Sequence, residues 1–192
     1  MTPELRAAYA EPHRRYHTQA HIDACLVELA RLQYLSASER RTLECAIWWH
    51  DAVYDSRRSD NEDVSADVAV RDLRALGESE PFALEVARLI RLTKGHQVEG
   101  DDHIGALLVS IDLSILGAPQ EDYDGYVRGV RYEYGFVPDE AFRAGRAAVL
   151  RHFLDAKTIF PDMEFAARLE VNARNNLRRE LGDLTKGETV AE

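Results

Sequence analysis

Residues 46–55, AIWWHDAVYD, place His50 and Asp51 directly after a run of apolar side chains. Outward from this stretch, apolar residues recur every three or four positions along almost the whole chain, and alternation of apolar and polar residues is scarce. The first pattern is typical of helices that bury one face, whereas alternation is typical of strands. The sequence therefore predicts an all-α protein, a bundle of about seven to nine helices in a single domain.

Capping residues and helix breakers indicate where the helices begin and end. A first long helix is expected over residues 18–33, and a second begins after Ser38 and reaches about Tyr54, with His50 and Asp51 in its last turn. Glycine and proline residues delimit six more helical segments, which are expected at 61–76, 81–94, 104–116, 120–134, 139–154 and 163–181. The bundle is expected over residues 1–182, and residues 183–192 are expected to form a frayed tail.

The charge balance limits what the protein binds. Its 192 residues include 24 basic and 34 acidic side chains, which gives a formal net charge of −10. This is the wrong sign for neutralising a nucleic-acid backbone or an anionic membrane surface, so neither partner is expected. A small anionic substrate remains compatible, because a metal ion and a few arginines can reverse the potential inside a pocket.

Hydropathy and cysteine usage bear on the location of the protein. No apolar run approaches the roughly 18 residues that a membrane span needs, and the first residues lack the apolar stretch of a secretion signal. Cys25 and Cys45 lie in apolar helical segments without CxxC spacing, so both are expected to be buried thiols. The sequence predicts a cytoplasmic protein, and its oligomeric state stays open, a homo-oligomer included.

Asp112 lies in an otherwise apolar helical segment, LLVSIDLSIL. A carboxylate buried in a helix is costly unless it is paired or bound to a metal ion. His21, near the start of the first long helix, and the pair His50–Asp51 add two imidazoles and a second carboxylate from separate helices. These donors suit Mn, Fe, Co, Ni or Zn. We therefore expect the four residues to hold one divalent transition metal ion, with two ions as the alternative.

The order of these residues resembles a known family, the HD superfamily of metal-dependent phosphohydrolases. That family's pattern is a histidine, then a His–Asp pair, then a distant aspartate, here His21, His50–Asp51 and Asp112. Residues 9–181 are also similar to an uncharacterised branch of predicted HD phosphohydrolases, through the segments EPHRRYHTQAHI, AIWWHDAVYD, DNEDVSA, LTKGH, IDLSILG and EVNARNNLRREL. The resemblance implies an all-α HD-domain bundle that hydrolyses a phosphate ester of a nucleotide or of another small phosphorylated molecule with metal-activated water.

Two further histidines are candidates for a second metal ion or for contacts around the first. His17 shares a helical face with His21 and is the alternative first ligand, although the run HIDAC matches the family's first-ligand segment better. His96 lies between the His–Asp pair and the last aspartate, where some members of the superfamily add histidines that hold a second ion. His103, in an acidic stretch, is expected to be solvated.

The resemblance also implies roles in the reaction. In related nucleotide hydrolases an acid four residues after the pair orients or deprotonates the attacking water, and Asp55 occupies that position, with Glu62 as the alternative base. Candidates for binding the substrate phosphate are Arg14, Asn61 and Arg131, because guanidinium forks and amides can donate to phosphate oxygens. The alternatives are surface salt bridges for both arginines and a capping turn for residues 61–62.

Two other functions remain compatible with the sequence. Some proteins that share the HD fold hold two irons and oxidise small organic molecules with dioxygen, and a requirement for His96 would favour that chemistry. The second alternative is a non-catalytic helical module that binds a nucleotide or a partner and keeps its acids for structural reasons.

Overall fold

The structure is a computed structural model that describes residues 2–186. Over this range it contains nine α-helices, one 3₁₀ helix and no strand, so the predicted all-α class is confirmed. The chain forms two compact units, one ending at Asp112 and the other beginning at Leu113. The helices of the first unit are α1 (Pro3–Ala8), α2 (Gln19–Arg31), α3 (Ala37–Trp49), α4 (Asn61–Ala75), α5 (Glu80–Leu92) and α6 (His103–Asp112).

Helix α3 lies at the centre of the first unit, where it packs against α2, α4, α5 and α6. Its apolar positions Leu43 and Ile47 recur at helical spacing and are almost fully buried. Helix α6 is buried on nearly every side, which explains why residues 107–111 show no polar face apart from Ser110. Apolar burial of this kind supplies the main free energy that holds the helices together.

Local signals explain most helix ends. Ser36 and Glu39 form a reciprocal capping box at the start of α3, so the predicted cap at Ser38 is wrong by two residues. Gly77 has a φ of 86°, a left-handed conformation that glycine adopts without steric cost, and it ends α4 as predicted. Helix α1 was not predicted from the sequence, although Thr2 caps it and Pro3 occupies its first position.

Two predicted helices end earlier than expected. Helix α3 ends at Trp49, with His50 as its C-cap, and the chain is irregular from there to Asp60. The predicted helix 104–116 divides into α6, which ends at Asp112, and a separate 3₁₀ helix. The two helices thus end at His50 and at Asp112, two of the predicted metal ligands, where tertiary contacts override the helical periodicity.

The second unit contains the 3₁₀ helix (Leu113–Gly117), α7 (Gln120–Glu133), α8 (Asp139–Asp155) and α9 (Met163–Thr185). Helix α9 packs on the 3₁₀ helix so closely that a Cβ on Gly117 would lie 2.6 Å from the Leu169 Cβ. Asn176 fixes this contact, because its amide donates to the carbonyls of Leu116 and Ala118, both at 2.9 Å. Residues 183–185 belong to α9, and the predicted tail from residue 187 lies outside the described residues.

Candidate metal centre

Three side chains from three helices converge on one point of the first unit. His21 comes from the first turn of α2, His50 caps α3, and Asp112 is the last residue of α6. The His21 Nε2 lies 3.1 Å from both the His50 Nε2 and the Asp112 Oδ1, and the last two atoms are 3.5 Å apart. His21 is 6% exposed and His50 is 3% exposed, so the two imidazoles are held inside the protein.

The ring orientation of His50 is fixed by its second nitrogen. The Nδ1 lies 2.9 Å from the Ile47 carbonyl oxygen, which can only accept a hydrogen bond. Nδ1 must therefore carry the proton. In the neutral ring Nε2 then presents a lone pair to the side chains of His21 and Asp112, which together with His50 and Asp51 are called the cluster below. A backbone carbonyl that fixes the tautomer in this way is the usual outer partner of a histidine that binds a metal ion.

Asp51 contributes an unpartnered oxygen to the same point. Its Oδ2 lies 3.1 Å from the His50 Nε2 and 3.8 Å from the His21 Nε2. This atom is buried and accepts no hydrogen bond from any residue between positions 2 and 186. A buried carboxylate oxygen without a donor is costly, and a bound cation removes that cost.

The donor spacing fits one metal ion. Neighbouring donors that share an ion at about 2.1 Å lie roughly 3.0–3.4 Å apart in octahedral or tetrahedral coordination. Five distances among the His21, His50, Asp51 and Asp112 donors run from 3.1 to 3.8 Å, close to that range. Two nitrogens and two carboxylate oxygens also match the chemistry of divalent transition metals. The cluster therefore has the composition and spacing of a metal site.

The charge of the two carboxylates favours a bound cation. Burial would raise the pKa of Asp51, yet His50 and His17 lower it below its ordinary value. Burial would also raise the pKa of Asp112, but contacts with His21, His50 and His96 hold it well below the ordinary value. For His50 burial would lower the pKa, and Asp51 and Asp112 outweigh burial and raise it. Both carboxylates are thus ionised at neutral pH.

His96 reaches the cluster from the segment between α5 and α6. Its Nε2 lies 3.1 Å from the Asp112 Oδ2, the oxygen that does not contact His21. Within residues 2–186 it is the one non-glycine residue with a positive φ, 53°, and its side chain is 27% exposed. A left-handed backbone at a histidine costs free energy and is found more often at functional sites than elsewhere.

The other predicted histidine, His17, lies beside the cluster rather than in it. Its ring stacks on Tyr54, with centroids 3.9 Å apart, and its centroid is 6.1 Å from that of His21. Of the two histidines, the structure therefore brings His21, the preferred candidate, into the group of clustered donors. His103 is exposed at the start of α6, as predicted.

Cys25, for which the sequence predicted no chemistry, contacts the cluster. Its Sγ lies 3.8 Å from Nε2 and 3.9 Å from Nδ1 of His21, four residues earlier on α2. Burial raises the pKa of this thiol, and Asp112 and Asp51 raise it further, so it stays protonated. Being equidistant from both ring nitrogens, the sulfur packs beside the ring rather than along the Nε2 lone pair. The four-residue spacing was the signal that could have revealed this contact.

The two predicted bases occupy the segment that follows the pair. Asp55 is 42% exposed, and its Oδ1 accepts a hydrogen bond from the Arg57 amide at 2.9 Å. Asn61 binds the backbone of Asp55 through both ends of its amide, at 3.1 and 2.9 Å, so the side chain is engaged in a turn. Glu62 is half-buried in the first turn of α4. The clustered donor groups include neither Asp55 nor Glu62.

Both arginines proposed for phosphate binding already have protein partners. Arg14 is 4% exposed and donates to Glu11 and to three backbone carbonyls. Arg131 lies in the second unit, where it donates to the carbonyls of Tyr134 and Val137 and to Asp139. Contacts made before any substrate binds argue against a phosphate clamp at either residue.

Comparison with family models, curated proteins and solved structures finds no match for the chain. Between residues 2 and 186, no single helix is both long and apolar enough to cross a membrane.

Proposed function

We propose that the protein is a metal-dependent phosphohydrolase of the HD type that acts on a nucleotide or on another small phosphorylated molecule. The observation that carries this proposal is the convergence of His21, His50 and Asp112 with the unpartnered Oδ2 of Asp51. The ordered sequence pattern of these residues, which resembles the HD superfamily, supports the same reaction class.

Different residues of the chain would hold the metal ion and activate the water. His21, His50, Asp51 and Asp112 would hold a divalent ion, whose chemistry is Lewis acidity: it lowers the pKa of water and withdraws charge from a phosphoryl oxygen. Asp55 would orient the attacking water and accept its proton, with Glu62 as the alternative base. Asp55 suits this role because its carboxylate is solvent-accessible and Asn61 fixes its backbone.

Metal content and phosphate release test the proposal together. We expect the purified protein to contain close to one equivalent of a transition metal and to release phosphate from at least one nucleotide or sugar phosphate when Mn²⁺, Co²⁺ or Ni²⁺ is added. His50→Gln and Asp112→Asn should lose both properties, and His103→Gln, at an exposed histidine outside the cluster, should lose neither. A metal-free protein that releases no phosphate from any tested compound would contradict the proposal.

A two-ion oxygenase is the second candidate, and one observation favours it. The two oxygens of Asp112 face different histidines, Oδ1 towards His21 and His50 and Oδ2 towards His96. With its oxygens divided in this way, Asp112 could hold a second ion together with His96. This function predicts two equivalents of iron with a visible or paramagnetic signature, both dependent on His96. One equivalent of metal in wild type and in His96→Ala would exclude it.

A further inference from the structure

Arg14 is buried without any carboxylate of the metal cluster as its partner. Its side chain is 0% exposed, and Nε lies 2.9 Å from the carboxylate of the half-exposed Glu11. Burying a guanidinium is costly unless its donors are satisfied. The other donors bind backbone carbonyls, so the hydrogen bonds that keep Arg14 buried also constrain the chain around it.

Those carbonyls belong to the two segments that carry the predicted ligands. Nη1 donates to the Asp51 carbonyl at 2.6 Å and to the His17 carbonyl at 3.3 Å, and Nη2 donates to the Ala52 carbonyl at 3.2 Å. His17 lies just before α2, which carries His21, and Asp51–Ala52 follows the C-cap of α3. One planar group therefore joins a nearby segment at His17, three residues along the chain, to a distant segment at Asp51 and Ala52, 37 and 38 residues along the chain.

The segment after His50 lies outside any helix. Helix α3 ends at Trp49, and the irregular chain that follows is held by separate hydrogen bonds, among them Ala52 N–H to the Trp49 carbonyl and Val53 N–H to the Ser65 hydroxyl, both at 3.0 Å. A small rotation of that backbone would move the Asp51 Oδ2 away from the His50 and His21 nitrogens. The short hydrogen bond from Arg14 opposes such a rotation, because it fixes the carbonyl of the same residue.

Two aromatic rings hold the guanidinium in place. Its central carbon lies 5.4 Å from the Tyr9 ring centroid and 5.7 Å from the Tyr54 ring centroid. The Tyr9 hydroxyl donates to the Trp48 carbonyl at 2.8 Å, which ties the ring to the end of α3. Cation–π contacts with both rings add to the hydrogen bonds and restrict Arg14 to one geometry.

We infer that Arg14 is a positioning residue of the metal centre: its guanidinium fork fixes the Asp51–Ala52 backbone against the start of α2 and so aims the Asp51 carboxylate at the two histidines. This inference rests on the proposed metal-dependent function. It replaces the substrate-binding role expected for Arg14 from the sequence. The positioning depends on the planar guanidinium fork and not on the positive charge alone, because a lysine ammonium cannot donate to separate carbonyls with a planar pair of N–H groups.

Cobalt binding tests the inference in the full-length protein. Co²⁺ affinity and the visible absorption of bound Co²⁺, which reports its ligand geometry, are measured for wild type, Arg14→Lys and Arg14→Met. Removing an outer partner of a metal ligand commonly weakens metal binding about 10–100-fold. We expect a loss in this range and an altered cobalt spectrum in both variants, with no rescue by lysine.

Arg40→Met is the matched control. Arg40 also donates to two backbone carbonyls, those of Leu29 at 3.1 Å and Leu32 at 2.5 Å, but at the far end of α2. We expect this variant to lose thermal stability while it keeps the wild-type cobalt affinity and spectrum. The comparison separates the positioning of Asp51 from the general stabilisation given by an arginine that binds backbone carbonyls.

Each outcome decides a different point. If wild type binds no Co²⁺, the metal centre and this inference fail together. If wild type binds Co²⁺ and the folded Arg14 variants match it in affinity and spectrum, the inference alone fails. If Arg14→Met does not fold, Arg14→Lys is read instead. Loss of the fold in both Arg14 variants while Arg40→Met folds would assign Arg14 a purely structural role and overturn the inference.

Discussion

Replacing His96 by glycine and by alanine separates backbone strain from side-chain chemistry. Both variants lose the imidazole that contacts Asp112, and they differ only in how well they adopt a φ of 53°. A left-handed conformation costs a residue with a Cβ roughly 1–2 kcal/mol, a cost that glycine avoids. The greater flexibility of glycine in the unfolded chain offsets about 0.5–1 kcal/mol of that advantage. We expect His96→Gly to be about 1 kcal/mol more stable than His96→Ala, which for a chain of this size raises Tm by roughly 2–4 °C.

Thermal unfolding of the two variants, monitored by circular dichroism in the presence of a chelator, measures this difference. Metal content and phosphate release are measured on the same samples and should be equal in the two variants, because both lack the same imidazole. A His96→Ala variant as stable as His96→Gly would refute the left-handed backbone. Wild-type metal content and activity in both variants would refute a role for the His96 side chain.

Three more predictions follow from the described contacts. The pKa of His50 is raised in the metal-free fold, so its proton stabilises that fold fully below the unfolded pKa of about 6.5, and the contribution is lost as pH rises through the folded pKa. A metal ion must displace this proton from His50, so the rise in Tm on adding Co²⁺ should be larger at pH 8 than at pH 6. An equal rise at the two pH values would contradict this prediction. Glu180→Gln removes the bidentate carboxylate, at 2.7 and 3.0 Å, from Arg146, whose side chain is only 9% exposed. The loss should cost about 3–5 kcal/mol in calorimetry while metal content is unchanged. A Tm within a degree of wild type would contradict this. Gly117→Ala forces a Cβ against Leu169 and should lower stability by about 1–3 kcal/mol in urea titration, unlike Gly145→Ala, where nothing lies within 4 Å.

The sequence alone was enough to indicate the helical class and the main residues of the candidate metal site. Helical periodicity is a local property, and glycine, proline and capping residues act within one turn, so most helix bounds were predicted within a few residues. Asp112 stood out because an ionised side chain in an apolar helix requires a partner. Its partners in the structure, His21, His50 and His96, are histidines that the pattern had already singled out.

The relations between distant segments were decided only by the tertiary structure. Sequence spacing could not choose between His17 and His21, because residues four apart would share one face of a helix. In the structure His17 precedes α2, and packing places His21 against His50 and Asp112. Arg14 looked like a phosphate ligand from its residue type, but burial and three carbonyls 3 to 38 residues away make it part of the scaffold. Local patterns in the sequence determine the helices and indicate candidate chemistry. Burial and hydrogen bonds between distant residues decide which side chains remain free to bind a ligand, because these contacts are contained in no single stretch of sequence.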